Sequence, residues 1–119
     1  MPESKEGYVN IEKSISHLQG RKNLLIKVAG IYIEDYQTQL EQLQRFIVQK
    51  NAQQAENAAH KIKGSLSNFH TPEAYNIAKR IESKAENGNL AGLEEDYRQL
   101  KQAMEDIAEQ LESFIKEND

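Results

Sequence analysis

A histidine, a lysine and a glycine at positions 60, 63 and 64 define the chemistry open to this chain. Successive residues of a helix turn by about 100° around its axis. Around Asn57–Phe69 that turn sets His60 opposite Ala55, Ala58, Ile62, Leu66 and Phe69, and beside Gln53, Asn57, Lys63, Gly64 and Ser67. The apolar stripe seeks a core, so the imidazole is displayed to solvent. Neutral imidazole is nucleophilic near pH 7 and can carry a covalent intermediate. Phosphoryl transfer suits so sparse a site. It asks for in-line positioning and positive charge near the equatorial oxygens more than for covalent work by the protein. Lys63 lies three residues on, on the neighbouring ridge, and can bring an ammonium to a phosphoryl group on His60. Gly64 lies one turn on. In mid-helix it costs about 1 kcal/mol relative to alanine. What it offers in return is room beside the imidazole for a second protein that carries the remaining phosphoryl-binding groups.

Other chemistries find no support. There is no P-loop, no dinucleotide-binding glycine fingerprint and no HExxH pair, so the chain has no visible means of holding ATP. A di-iron bundle needs Glu-x-x-His on facing helices, and no glutamate stands three before His17, His60 or His70. The absence of cysteine excludes disulfides, thiolate zinc sites and cysteine nucleophiles, and is compatible with a cytoplasmic location. A net charge of −4 and a pI near 5.4 argue against nucleic acid as a partner. No apolar run approaches the roughly 18 residues that span a bilayer. Residues 1–7 read as a short, flexible, polar start unlike a signal peptide.

The elements that must position His60 are helical. Ala, Leu, Glu, Gln and Lys are abundant, and no segment alternates with period two. Asn10 can cap a short first helix bearing Ile11, Ile15 and Leu18, with Gly20 at its end. A long segment follows from about Lys22 to Lys50, with a stripe through Leu25, Val28, Tyr32, Tyr36, Leu40, Leu43 and Ile47. Gly30 weakens it locally and is a candidate for a kink or a close contact. Asn51 with Gln54 resembles a capping box for the histidine helix, which should end near Phe69 or His70. Thr71-Pro72 starts the next helix, carrying Ala74, Ile77, Ala78, Ile81 and Ala85. Asn87-Gly88 stops it and Asn89 can cap the last. That last segment has the most regular seam: Leu93, Tyr97, Leu100, Met104, Ile107, Leu111 and Phe114. The predicted fold is all-α, one domain over residues 8–119. It is an antiparallel up-down-up-down four-helix bundle with a short N-terminal accessory helix.

Ala59-His60-Lys61-Ile62-Lys63-Gly64-Ser65, followed by Asn68, resembles the signature of histidine-containing phosphotransfer (HPt) domains. That signature reads histidine, any residue, an aliphatic residue, lysine, glycine and a small residue. The order of helices over roughly residues 8–117 is similar too. The resemblance implies a phosphorelay carrier. His60 would accept a phosphoryl group from a receiver-domain aspartate and pass it to another receiver, Lys63 would steady the phosphoryl oxygens, and Gly64 would make room for the receiver. It also implies that magnesium and most catalytic groups belong to the receiver, and that the chain has no cofactor and no kinase activity of its own. The partners expected are response-regulator receivers and a hybrid sensor histidine kinase, served by a monomer without membrane insertion. The docking surface is expected to include Gly64, Asn57, Lys61 and Ser67 around the imidazole, with Ile15 and Leu18 beside it. One position departs from the pattern: His70, ten after the histidine, stands where many members have a small residue.

Plainer readings apply to other residues. His17 and His70 read as incidental surface or loop histidines. Glu94-Glu95-Asp96 reads as a solvated helix start that complements the helix dipole, and Lys79-Arg80 as solvated surface. For the whole chain the alternative is a phosphorylation-independent helical adaptor that binds signalling proteins. A dimeric histidine-kinase core is a further rival, but 119 residues leave no room for its ATP-binding domain.

Overall fold

Good helix formers, punctuated by Asn, Gly and Pro, fold into five helices and, among the described residues, no strand. The computed structural model describes residues 9–118; the polar start expected over 1–7, with residues 8 and 119, lies outside them. The helices are α1 (Ile11–His17), α2 (Lys22–Val48), α3 (Ala52–Leu66), α4 (Pro72–Glu86) and α5 (Leu93–Glu117). At a rise of about 1.5 Å per residue, the 27 residues of α2 nearly span the 42 Å long axis of the molecule.

The caps follow from local chemistry. The Asn10 side chain accepts from the Lys13 amide at 2.9 Å, and that of Asn51 from the Gln54 amide at 3.2 Å. Pro72 occupies the first turn of α4, after Thr71 at the N-cap. Helices α1, α2 and α4 each end in paired backbone bonds of the Schellman type. For α1 these are Gly20 N–H to Ile15 C=O at 2.8 Å and Gln19 N–H to Ser16 C=O at 2.9 Å. The left-handed residue there is Gln19, at φ +60°, as well as Gly20.

Two boundaries differ from expectation. Helix α3 ends at Leu66 rather than near Phe69, because the Ser67 hydroxyl donates to the Gly64 carbonyl at 2.6 Å and competes with the next helical bond. Phe69 then leaves the helix and is buried edge-on against Tyr32, with ring centroids 5.6 Å apart. Helix α5 is capped by Gly92, not Asn89. The Asn89 side-chain oxygen instead accepts from the Ala91 amide at 3.2 Å, ahead of the helix, while its own amide closes α4 on the Lys84 carbonyl at 2.8 Å. Gly30 permits no close contact: a Cβ there would meet nothing within 4 Å, and α2 runs through it.

The stripes meet in one core. Every seam residue of α5 from Leu93 to Phe114 is buried, as are the five stripe residues of α4. In α2 the fully buried small residue is Ala29, with Val28 only partly covered. Helix α2 packs against α1, α3 and α5, and α4 packs against α3 and α5. Two side-chain bonds pin these faces. The Tyr32 hydroxyl donates to the Met104 carbonyl at 2.8 Å, and Gln39 Nε2 donates to Ser65 Oγ at 3.0 Å.

Candidate functional site

The site begins with the face that α3 keeps out of the core. Ala55, Ala58, Ala59, Ile62 and Leu66 are buried, so the helix is held with the opposite ridge outward. His60, Lys61, Gly64 and Ser67 are exposed along that ridge, as is Asn57 one turn before the histidine. The His60 side chain is 68% exposed. A Cβ at Gly64 would meet nothing within 4 Å, so the glycine does not serve packing inside the chain.

Helix α4 supplies the remaining group. Its buried face is rich in small residues, Ala74, Ala78 and Ala85, as that of α3 is with Ala55, Ala58 and Ala59, and the two helices pack together. Glu82 flanks that face. One carboxylate oxygen, Oε2, lies 2.7 Å from His60 Nδ1, and the other, Oε1, lies 2.7 Å from Lys63 Nζ. The carboxylate and the lysine are largely covered, at 18% and 21% exposure, while the imidazole reaches out. Glu82 thus bridges the two residues that the spacing of α3 places side by side.

The electrostatics fix the protonation states. Burial pushes the Glu82 carboxyl up, but hydrogen bonds from Lys63 and His60 and the charges of both outweigh it, and its pKa lies below the usual value. The hydrogen bond to Glu82 raises Lys63 above its usual value, against partial desolvation, with help from the charges of Glu82 and Tyr75. Near neutrality Glu82 is therefore an acceptor and Lys63 a cation. A carboxylate can only accept, so His60 Nδ1 carries the hydrogen, and in the neutral ring the lone pair is then on Nε2.

Glu82 escaped the sequence reading because it stands on another helix, 22 residues from His60. Its only signal is a charge flanking the α4 stripe. The expected docking residues Ile15 and Leu18 are partly buried against the core. The large apolar side chain left out on the adjoining part of α2 is instead Ile31, 51% exposed, in a cleft with Val28, Tyr32, Asp35, Ser65, Asn68 and Phe69. The solvated role expected for Asp96 is overturned, while Arg80 stays exposed as expected, though it pairs with Asp96. Asp96 is only 7% exposed and binds Lys84 at 2.8 Å and Arg80 at 3.3 Å, because α4 closes over the start of α5. Among the described residues, no group of three His, Cys, Asp or Glu side chains is placed to hold a metal ion. No helix among them is long and apolar enough to cross a membrane.

Comparison with known proteins agrees with this architecture. The sequence model of the Hpt domain matches residues 27–116. Histidine-containing phosphotransfer protein B (HptB) from Pseudomonas aeruginosa PAO1 has a similar structure, with a TM-score of 0.84 at 16% identity, covering 92% of this chain and 96% of that one. The HPT domain of a sensor hybrid histidine kinase from Shewanella is similar at a TM-score of 0.85 and 14% identity, covering 95% of this chain and 97% of that one. No curated protein matches the sequence. The class defined is that of helical phosphorelay carriers. The chain belongs to the Hpt domain family. Domains of this family work with receiver and kinase partners in phosphorelays.

Proposed function

We propose that His60 takes a phosphoryl group from the aspartyl phosphate of a receiver domain and gives it to the aspartate of another. The observation that carries this reading is the 2.7 Å contact of Glu82 with Nδ1 of an otherwise exposed ring. The lone pair of Nε2 attacks phosphorus in line, the bond from phosphorus to the aspartyl oxygen breaks, and the aspartate leaves as a carboxylate. Nδ1 keeps its hydrogen, the ring becomes an imidazolium, and the Glu82 carboxylate offsets that charge, as a triad carboxylate does for its histidine. Transfer onward is the same step reversed. Lys63 sits beside the ring with an ammonium for the phosphoryl oxygens, and the open face at Gly64 admits the receiver.

The remainder of the reading rests on the resemblance to Hpt domains. The receiver supplies magnesium and most of the catalytic groups, and the chain is a carrier without kinase activity. Receivers dock over Gly64, Asn57, Lys61 and Ser67, with Ile15, Leu18 and Ile31 as the apolar edge. We further infer a cytoplasmic monomer whose four long helices run up-down-up-down. The pairing of Tyr32 with Phe69 and of Gln39 with Ser65 supports opposite directions for α2 and α3.

The test is a transfer assay. The chain is mixed with magnesium-loaded, phosphorylated receivers, and acid-labile, base-stable phosphate is mapped by mass spectrometry. Phosphate on His60, absent in a folded His60→Gln variant, is the expected result. A His60→Gln variant that still accepts phosphate overturns the assignment. A folded chain that accepts none from any donor favours the adaptor reading.

A further inference from the structure

The ridge that carries His60 runs on to a second feature. Ser67 follows seven residues later, about 10 Å along the axis of α3. It forms one wall of a cavity of about 350 Å³ whose other walls are Lys13, Ser16, His17, Phe69 and His70. These walls are one ammonium, two imidazoles, two hydroxyls and a phenyl ring, with no carboxylate among them. In a chain of net charge −4 this is an enclave without acids, although the Ser67 hydroxyl spends its hydrogen on the Gly64 carbonyl.

The walls are also held in place. Ser14 is fully buried; its hydroxyl donates to the Asn10 carbonyl at 2.8 Å and accepts from the His70 amide at 2.8 Å. The Asn10 amide donates to the His70 carbonyl, again at 2.8 Å. These bonds clamp α1 to the segment between α3 and α4. They fix Lys13 and His17, one helical turn apart, opposite His70. The two that reach His70 use its backbone only, and its ring lines the cavity.

Resting on the phosphocarrier reading, the cavity must lie under the docked receiver. A partner that contributes about 600–800 Å² covers a disc of roughly 14–16 Å radius. Centred on His60, that disc includes a cavity whose near wall is about 10 Å away. We propose that this cavity is a second docking point that takes a carboxylate side chain from the surface of the receiver serving His60. It thereby selects among receivers by whether they carry an acidic residue at that offset. His70 is then a specificity-determining residue, at the position where many relatives carry a small one.

The experiment uses the full chain and a phosphorylated receiver domain that transfers to it. Lys13→Gln, His17→Gln and His70→Gln are combined, with far-UV circular dichroism as a check on folding. Loss of the Lys13 charge pair and of two imidazole hydrogen bonds, all partly exposed, should raise KM for the receiver about fivefold to tenfold and leave kcat unchanged. The rise of KM with salt should also be flatter in the variant. Phosphoramidate, a small donor that needs no docking, reports separately on His60. An unchanged KM overturns the proposal. Labelling of His60 by phosphoramidate with transfer from no receiver in a panel overturns it too, while leaving His60 as acceptor. If millimolar inorganic phosphate alone saturates the ring resonances of His17 and His70 and KM is unchanged in the variant, the cavity binds a free anion and not a receiver.

Discussion

Glu82 makes two demands at once, one on each oxygen, and the consequences are measurable at single residues. Holding Nδ1–H fixes the tautomer that leaves Nε2 free. In Glu82→Ala the ring should redistribute its hydrogen toward Nε2, visible in the nitrogen chemical shifts of His60. Transfer from a receiver should then slow about tenfold, equivalent to ~1.4 kcal/mol in the barrier. An unchanged tautomer and an unchanged rate would remove Glu82 from the mechanism. The same carboxylate links stability to pH. Its folded pKa lies below its ordinary 4.5, so its stabilising contribution is present above about that pH and is lost as pH falls through the folded value. Urea unfolding of wild type and Glu82→Gln should therefore differ at pH 7 and converge toward pH 3; a gap independent of pH would contradict the shift. At Gly64 the bare Cβ space predicts that Gly64→Ala stabilises the fold by up to about 1 kcal/mol, read by thermal unfolding. A loss of stability would mean that the glycine serves packing. His60, Lys63 and Gly64 were legible in the sequence because one helix fixes their relative directions. Glu82 was not, because its approach depends on how α4 slides along α3, and no spacing within α3 encodes that.

At the scale of elements, the site depends on a contact far from the phosphoryl chemistry. Arg80 and Lys84 bracket Glu82 on α4, and both bind Asp96 of α5. Because Asp96 is nearly buried, this grip restrains how far α4 can slide or turn, and so where the Glu82 carboxylate arrives. Asp96→Ala should cost about 1–3 kcal/mol in chemical denaturation, short of a fully buried pair because both cations reach solvent. A cost near zero would show the cluster to be ordinary surface charge. The sequence showed three acids at a helix start, a pattern that the dipole alone explains. Only the closure of α4 over α5 separates Asp96 from Glu94 and Glu95. The helix ends divide in the same way. Asn10 and Asn51 cap their own next residues, so sequence sufficed. Asn89 does not cap α5 because its side-chain oxygen serves the Ala91 amide within the connection, leaving Gly92 to open the helix.

Across the whole molecule, stability and chemistry are carried by different faces. The α5 seam was readable because its steps of four and three bury one continuous stripe, and Leu100 at its centre is fully buried. Around it, the Tyr32 hydroxyl ties α2 to α5 at the Met104 carbonyl. Burial, with the nearby Tyr36 adding to it, raises the Tyr32 phenol far above its ordinary value, so that it stays a neutral donor throughout the working range. None of these groups reaches the exposed ridge of α3. Leu100→Ala should therefore remove about 2–5 kcal/mol of stability through the cavity it leaves. Since a domain of this size holds about 5–15 kcal/mol in all, most molecules should remain folded at 25 °C. Labelling of His60 by phosphoramidate, corrected for the folded fraction, should then proceed at the wild-type rate. If labelling fell along with stability, the α3–α4 pair would be poised by the seam rather than by its own alanine-rich contact and the Asp96 grip. Core and site would then be a single cooperative device. A retained rate places the acceptor's geometry in α3, α4 and the first turn of α5 alone.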